Sequence, residues 1–430
     1  YFMTHRELFR ILFKYQKLKN FIVCHASVTT NIYCHSVVAK SSSRKDPVKR
    51  FSLSAEKRTS FDITVHRGAF EKDIAHDFLD FGGRKCVLVA TPTVWQLYGE
   101  SVLRSLKKSG TIPDVLVLEL GEQRKFMPAV VTVAQWAQRV GLDRRGLLIA
   151  LGGGVVGDIV GFAASMIRRG VGHVRIPTTL MAQIDAAIGI KSGVNFNQSK
   201  NYLGCFHSPE AVLVDPGLLR SLPVAAVRQG MAEIVKIAMI RDDRLFGMLE
   251  ERGETLIGTR FAQPIEFAED VITRSIDGML VELSSNPYEN MTLERFVDLG
   301  HMISPALEAE SGYKLHHGEA VAIDLAYTSC IANEVGHLSD ANLLRIIGLI
   351  RQLGLPTNHA YLNESLVLRS FADTEKHRGG ALNLPVPTGI GACDFIRYRN
   401  QLAEGTVSRA LVRLAETENM FSEIDLRAVS

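Results

Sequence analysis

From about residue 60 the chain alternates short β-branched runs with longer segments whose apolar residues recur at helical spacing. KCVLVA (85–90), DVLVLEL (114–120), GLLIAL (146–151), HVRIPTT (173–179) and AVLVDP (211–216) read as strands. PAVVTVAQWAQRVG (128–141) and LMAQIDAAIG, which follows IPTT, read as helices. That alternation predicts a parallel sheet with crossover helices. After LRSLP (219–223) come long amphipathic segments: VRQGMAEIVKIAMI, LERFVDLGHMISPALEAE, GEAVAIDLAYTSCIANEVG and ANLLRIIGLIRQLG. The pattern predicts an α/β, Rossmann-like nucleotide-binding domain over residues 56–223 and a mainly α-helical domain over 224–430. A cleft between two such domains is a common place for a small-molecule site.

Composition narrows the class. The chain has 430 residues, 46% of them apolar and 22% charged, which is enough for a large core. A net charge of +3 gives no reason to expect nucleic acid or an anionic membrane as a partner. No apolar run reaches the ~18 residues that cross a bilayer, so the expectation is a soluble, cytoplasmic protein. Six cysteines without a CxxC pair suit a reducing compartment. The first fifty residues hold ten Lys or Arg against only Glu7 and Asp46. This basic leader (1–55) reads as an organelle-targeting segment, a disordered tail or a stretch that is not native protein, and stands outside the fold.

Three constellations carry candidate chemistry. In LLIALGGGVVGDIVGFAAS, Gly152, Gly153 and Gly154 link a strand to a helix, with Asp158 just inside it. Such a turn lets a pyrophosphate approach the helix start, although a merely tight turn has the same residues. Thr178 and Thr179 supply hydroxyls at the end of the next strand, and Glu122 and Lys125 are candidate ribose or phosphate contacts, or charges on a solvated loop. The second constellation is Glu233, an acid among apolar residues on a predicted core helix, with His301 in VDLGHMISP at the start or middle of the helix before His317, and His317 at a helix entrance in LHHGEAVAID. A buried carboxylate needs a partner, and two imidazoles plus a carboxylate are a common catalytic zinc set. Each residue alone is more simply a capped or hydrogen-bonded one, and His316 falls outside the turn. The third is basic: Lys191, Lys200 and Asn201 in a glycine-containing loop, Asp185 before it, Arg168 and Arg169, and Lys236 one turn past Glu233. These suit a phosphate anchor, with solvated surface charges as the plainer reading.

GGGVVGDIVGFAA, RRG, IPTTLMAQIDAAIGIKSGVN, KN, AEIVKIA, GH and HGEAVAI occur in the order found in the dehydroquinate synthase superfamily, which the chain resembles from about residue 60 to 425. The resemblance implies NAD at Gly152, Gly153, Gly154, Asp158, Thr178 and Thr179. It also implies a divalent metal, Zn or Co, on Glu233, His301 and His317, and a homodimer. Departures from the dehydroquinate synthases point further. Glu294 and Leu280 stand where those enzymes carry an Arg and a Lys that hold a substrate carboxylate, Asp298 stands for the Asn of their RxxxNxGH pattern, and Pro305 replaces a His; an anionic Glu294 in the pocket, with both cations lost, would leave it poorly built for an acid substrate. With DTEKHRGGALNLPVPTGIG these resemble the sedoheptulose 7-phosphate cyclases, and within them the branch forming 2-epi-5-epi-valiolone.

What this branch implies is a seven-carbon sugar phosphate that loses phosphate and closes to a cyclitol, with NAD unchanged at the end. Lys191, Lys200, Asn201 and Arg169 would hold the phosphate, Arg169 reaching a neighbouring subunit's site. Lys236 and Asp185 would orient ring hydroxyls. Asp298 would accept hydrogen bonds from the hydroxylated end, and one of Lys376, His377 or Arg378 would complete the phosphate contact. Thr91 stands where many relatives carry a ribose-binding Asp. Dehydroquinate synthase itself, another sedoheptulose 7-phosphate cyclase, an iron-type alcohol dehydrogenase and a non-catalytic NAD-binding regulator are the competing readings.

Overall fold

The computed structural model describes residues 23–28, 53, 59–79, 81–197 and 199–429. Seven strands form one sheet in the order β1-β2-β9-β6-β5-β3-β4: β1 (Val23–Val28), β2 (Thr59–Val65), β3 (Cys86–Ala90), β4 (Asp114–Val117), β5 (Leu147–Gly152), β6 (Gly172–Pro177) and β9 (Ala211–Val214). All neighbours are parallel except β1, which lies antiparallel on β2. β1 falls inside the basic leader and nevertheless pairs with the sheet; the remainder of that leader, residue 53 apart, lies outside the described residues.

The buried strands alternate between two apolar layers, as side chains of period two must. Leu88, Leu147, Ile149 and Leu151 face one core, and Val87, Val89, Leu148 and Ala150 face the other. Helix α1 (Pro92–Lys108) covers the first face, while α2 (Met127–Arg139) and α3 (Gly154–Met166) cover the second.

Between β6 and β9 the chain departs from the predicted pattern. LMAQIDAAIG makes only a short π-helical turn at Ala182–Ala186, and the expected glycine-containing loop is a hairpin of β7 (Lys191–Phe196) and β8 (Ser199–Phe206). Two close approaches account for a glycine in the hairpin and one in the helix beneath it. A Cβ on Gly204 would stand 2.8 Å from the Ser192 carbonyl oxygen, and one on Gly161 of α3 would stand 2.1 Å from Ser192 Oγ. The hairpin can therefore lie flat against α3.

Beyond β9 the chain is helical: α4 (Val224–Arg241), α5 (Asp243–Gly258), α6 (Ile265–Ser284), α7 (Ser304–Glu310), α8 (His317–Glu334), α9 (Asp340–Gln352), α10 (Glu364–His377) and α11 (Thr406–Val429). One small hairpin interrupts them, β10 (Leu384–Gly389) with β11 (Ala392–Ile396). α4 and α8 are apolar on every side over most of their length, as central helices should be, and the others pack around them. Among the described residues no helix is long and apolar enough to cross a membrane.

Candidate active site

A cleft of about 980 Å³ runs between the carboxyl ends of the strands and the helical half. Parallel sheets bind ligands at that edge because the following helices start there.

Glu233 lies in the middle of α4, fully buried, with Lys236 one turn on and 2% exposed. The two form an ion pair through Glu233 Oε2, while Oε1 is turned towards the two imidazoles. His317 is the first residue of α8. Gly318 behind it is required by contact: a Cβ there would stand 2.3 Å from the Gln229 carbonyl oxygen, so only glycine lets α8 start against α4. His301 is not within a helix as its amphipathic context suggests. It follows Gly300, whose φ of +77° turns the chain, and sits in the loop before α7. That loop is held by the buried Asp324 of α8, which accepts the amides of Ile303 at 2.6 Å and Ser304 at 2.9 Å.

The outcome is three ligand atoms within 4.8 Å of one another. Glu233 Oε1 is 3.4 Å from His317 Nε2 and 3.6 Å from His301 Nε2, too far for good hydrogen bonds and spaced as donors around one ion. Burial opposes charge on Glu233, but Lys236 and the imidazoles hold its pKa well below the usual carboxylate range. Burial and the Lys236 ammonium lower His301 to about 4, leaving it a neutral donor. For His317 burial is outweighed by Glu233 and Glu308, which raise it to about 9. An anionic oxygen and two imidazoles suit zinc or cobalt, and a cation would supply the close partner that Glu233 Oε1 lacks.

The glycine turn lies across the cleft. Gly152 ends β5, Gly153 caps α3, and α3 starts at Gly154. A Cβ on Gly153 or Gly154 would crowd Thr179 at 3.1 Å or Ala186 at 3.2 Å, while Gly157 faces open space. The helix start is thus bare backbone, the cradle that a dinucleotide phosphate needs. Thr178 is buried, its amide on the Gly152 carbonyl at 3.0 Å, and the Thr179 hydroxyl accepts the Ala182 amide at 3.2 Å. Thr91, at the end of β3, is on the same edge of the sheet. Lys125 is not on a solvated loop: it is buried, pairs with Asp158 at 2.5 Å and donates to Asn201 Oδ1 at 2.6 Å. Burial raises the pKa of Asp158 against the pull of that lysine. Glu122 accepts from Asn195 of β7 at 3.0 Å.

Lys191, Lys200 and Asn201 line the cleft from the hairpin, with Asp185 and Lys236 beside them. Burial raises Asp185, with Lys236 opposing. Arg168 and Arg169 are exposed at the end of α3 and do not line it. At the far end, Asp298 accepts from Arg378 Nη2 at 2.6 Å and lies 3.3 Å from Arg295. Arg295 also pairs with Glu289 at 2.7 Å, and Lys191 pairs with the same carboxylate. Of the three C-terminal candidates Arg378 alone turns inward; Lys376 and His377 are exposed, and His316 is exposed at the mouth. The expectation for Glu294 is corrected. It points away and pairs with Arg397 at 2.8 Å, so its charge does not act on a ligand, whereas Leu280 and Pro305 do line the cleft.

Four charged residues in or beside the cleft escaped the sequence reading: Arg295, Glu289, Glu308 and Arg175. Glu308 of α7 is buried and bridges His317 and Lys200. Arg175 on β6 is almost wholly buried and donates to the carbonyls of Gly189 at 2.6 Å and Lys191 at 3.1 Å and to Ser192 Oγ at 3.0 Å. It ties the Asp185–Lys191 segment to the sheet. A charged residue between the β-branched positions of a central strand was its only signal.

The chain matches two consecutive family models, the 3-dehydroquinate synthase N-terminal part over residues 115–229 and its C-terminal part over 230–377. It is 39% identical over 378 residues to a 2-epi-5-epi-valiolone synthase of Streptomyces hygroscopicus subsp. jinggangensis, covering 86% of this chain and 90% of that one. It is 37% identical over 311 residues to a 3-dehydroquinate synthase of Nostoc punctiforme, covering 72% and 85%. A solved structure of the Streptomyces hygroscopicus 2-epi-5-epi-valiolone synthase, with NAD+ and Zn2+ bound, superposes with a TM-score of 0.79 over 85% of this chain and 99% of that one, at 39% identity.

Proposed function

The chain belongs to the 3-dehydroquinate synthase family, and on that premise we propose that it is a carbon–oxygen lyase converting sedoheptulose 7-phosphate to 2-epi-5-epi-valiolone with loss of phosphate. The observation that carries the reading is one cleft holding a buried carboxylate with two imidazoles, a bare helix start and a row of cationic side chains, closed by an end where Leu280 replaces a cation.

Gly152, Gly153, Gly154, Asp158, Thr178, Thr179, Glu122 and Lys125 would hold NAD, and Glu233, His301 and His317 a Zn or Co ion. When bound, NAD supplies a reversible hydride acceptor and the ion a Lewis acid at the hydroxyl being oxidised.

The remaining work falls to the chain. Lys200 and Asn201 would hold the phosphate, and Lys191 would add a second charge; spread over a rigid hairpin, they favour the charge that accumulates on the departing group. Lys236 Nζ and Asp185, both facing the cleft, would fix the ring hydroxyls. Arg295 and Arg378 hold Asp298 so that its remaining lone pairs can accept from a polyhydroxylated end. The same pairing occupies the guanidiniums that a substrate carboxylate would need. We further propose a cytoplasmic homodimer in which Arg169 reaches the partner's cleft. Its exposure supports this, as do the unpaired Cys86, Cys205, Cys330 and Cys393.

The test is phosphate release from purified protein with NAD and zinc or cobalt, given either sedoheptulose 7-phosphate or the acidic seven-carbon precursor of dehydroquinate. Release from the sugar phosphate alone, without net NADH and with an NMR spectrum of a C7 cyclitol, is expected. Release from the acid alone would instead mean that Arg295 gives up Glu289 and Asp298 for the substrate, a dehydroquinate synthase.

A further inference from the structure

Glu308 occupies a position that the proposed chemistry does not yet use. Its side chain is buried on α7 and each oxygen has one partner: Oε1 is 2.9 Å from His317 Nδ1, and Oε2 accepts from Lys200 Nζ at 2.7 Å. His317 presents its other ring nitrogen to Glu233. A single carboxylate therefore lies between the first residue of α8 and an ammonium on hairpin β7–β8, elements far apart in the chain. Nothing about folding requires the pairing. A lysine on a hairpin edge could reach solvent, and His317 could be oriented by any carbonyl, as His301 is by that of Leu299 at 3.2 Å.

We propose that Glu308 is a positioning residue that couples phosphate capture to metal binding. The inference rests on the metal and phosphate roles proposed above. While Lys200 is bound to Glu308, the carboxylate shares its charge between two donors. A phosphate in the cleft draws Lys200 towards itself, and Glu308 is left to the imidazole. A carboxylate that accepts more fully from one ring nitrogen fixes the ring and makes the other a better ligand. Phosphate should therefore tighten the metal, and by reciprocity the metal should tighten phosphate. Substrate arrival would firm up the Lewis acid, and loss of phosphate would relax it.

Cobalt titration followed by its visible absorption, with and without inorganic phosphate, tests this. Wild-type protein is expected to bind cobalt about fivefold or more tightly in phosphate, within the usual range of such couplings. Glu308→Gln should bind cobalt about 10- to 100-fold more weakly, the usual effect of losing such an outer partner, and phosphate should no longer shift it. Direct attraction between anion and cation would survive that substitution, so coupling that persists in E308Q overturns the proposal. If E308Q loses its cooperative melting transition, Lys200→Met decides: with Glu308 left to His317 it should bind cobalt about fivefold or more tightly than wild type even without phosphate, and phosphate should add nothing; cobalt affinity no better than phosphate-free wild type, or retained coupling, overturns the proposal. Wild type that binds no cobalt overturns the metal site itself. Wild type that binds cobalt indifferently to phosphate overturns only this coupling.

Discussion

At the scale of single residues the candidate site depends on positions with no reactive group. Gly318 decides whether His317 can meet Glu233, because α8 touches the backbone of α4 at Gln229. Gly318→Ala is expected to cost about 1–3 kcal/mol by overpacking and to weaken cobalt binding by displacing His317. Urea denaturation and cobalt titration check the two effects separately; a variant unchanged in both would show that the contact yields without moving the ligand. Asp324 does similar work for His301 through the amides of Ile303 and Ser304. Asp324→Ala, which leaves both amides and the Thr328 hydroxyl short of an acceptor, should cost about 2 kcal/mol or more in the same denaturation measurement.

At the scale of elements, the hairpin is what turns a run of lysines into a site. Arg175 joins β6 to the chain entering the hairpin, and Asn195 joins the hairpin to the loop of Glu122 and Lys125. Arg175→Met removes charge-assisted bonds to buried carbonyls and should cost about 3 kcal/mol or more. Because it loosens the segment carrying Lys191, it should also raise KM for the sugar phosphate more than it lowers kcat. Steady-state kinetics on the folded fraction would detect this, and an unchanged KM would confine Arg175 to stability.

At the scale of the whole molecule the cleft unites two packing regimes, a sheet with an apolar layer on each face and a helical body around α4 and α8. Glu233 is buried in the second with only Lys236 in close contact and its Oε1 short of a donor, a cost that a bound cation offsets. Chelation with EDTA should therefore abolish phosphate release and lower the melting temperature, and zinc or cobalt should restore both. At a ligand concentration 100-fold above Kd the linked stabilisation is about 2.7 kcal/mol. A melting curve indifferent to EDTA in protein shown to contain metal would contradict this.

What was determined by the sequence alone was local. The β-branched runs marked the strands, the apolar spacing marked α4, α8 and α9, and the glycines between β5 and α3 marked the bare helix start, because each depends on neighbours within a few residues. The convergence of Glu233, His301 and His317 was legible as a resemblance of motifs, but their meeting required Gly300, Gly318 and Asp324 to steer three chain segments together. Glu294 shows the opposite case: its position in a motif suggested the cleft, and an exposed partner, Arg397, turned it away. Glu308, Glu289 and Arg295 took their roles only from partners distant in the chain. A charge is given its work by what folding sets against it, and that spacing is not written in the order of residues.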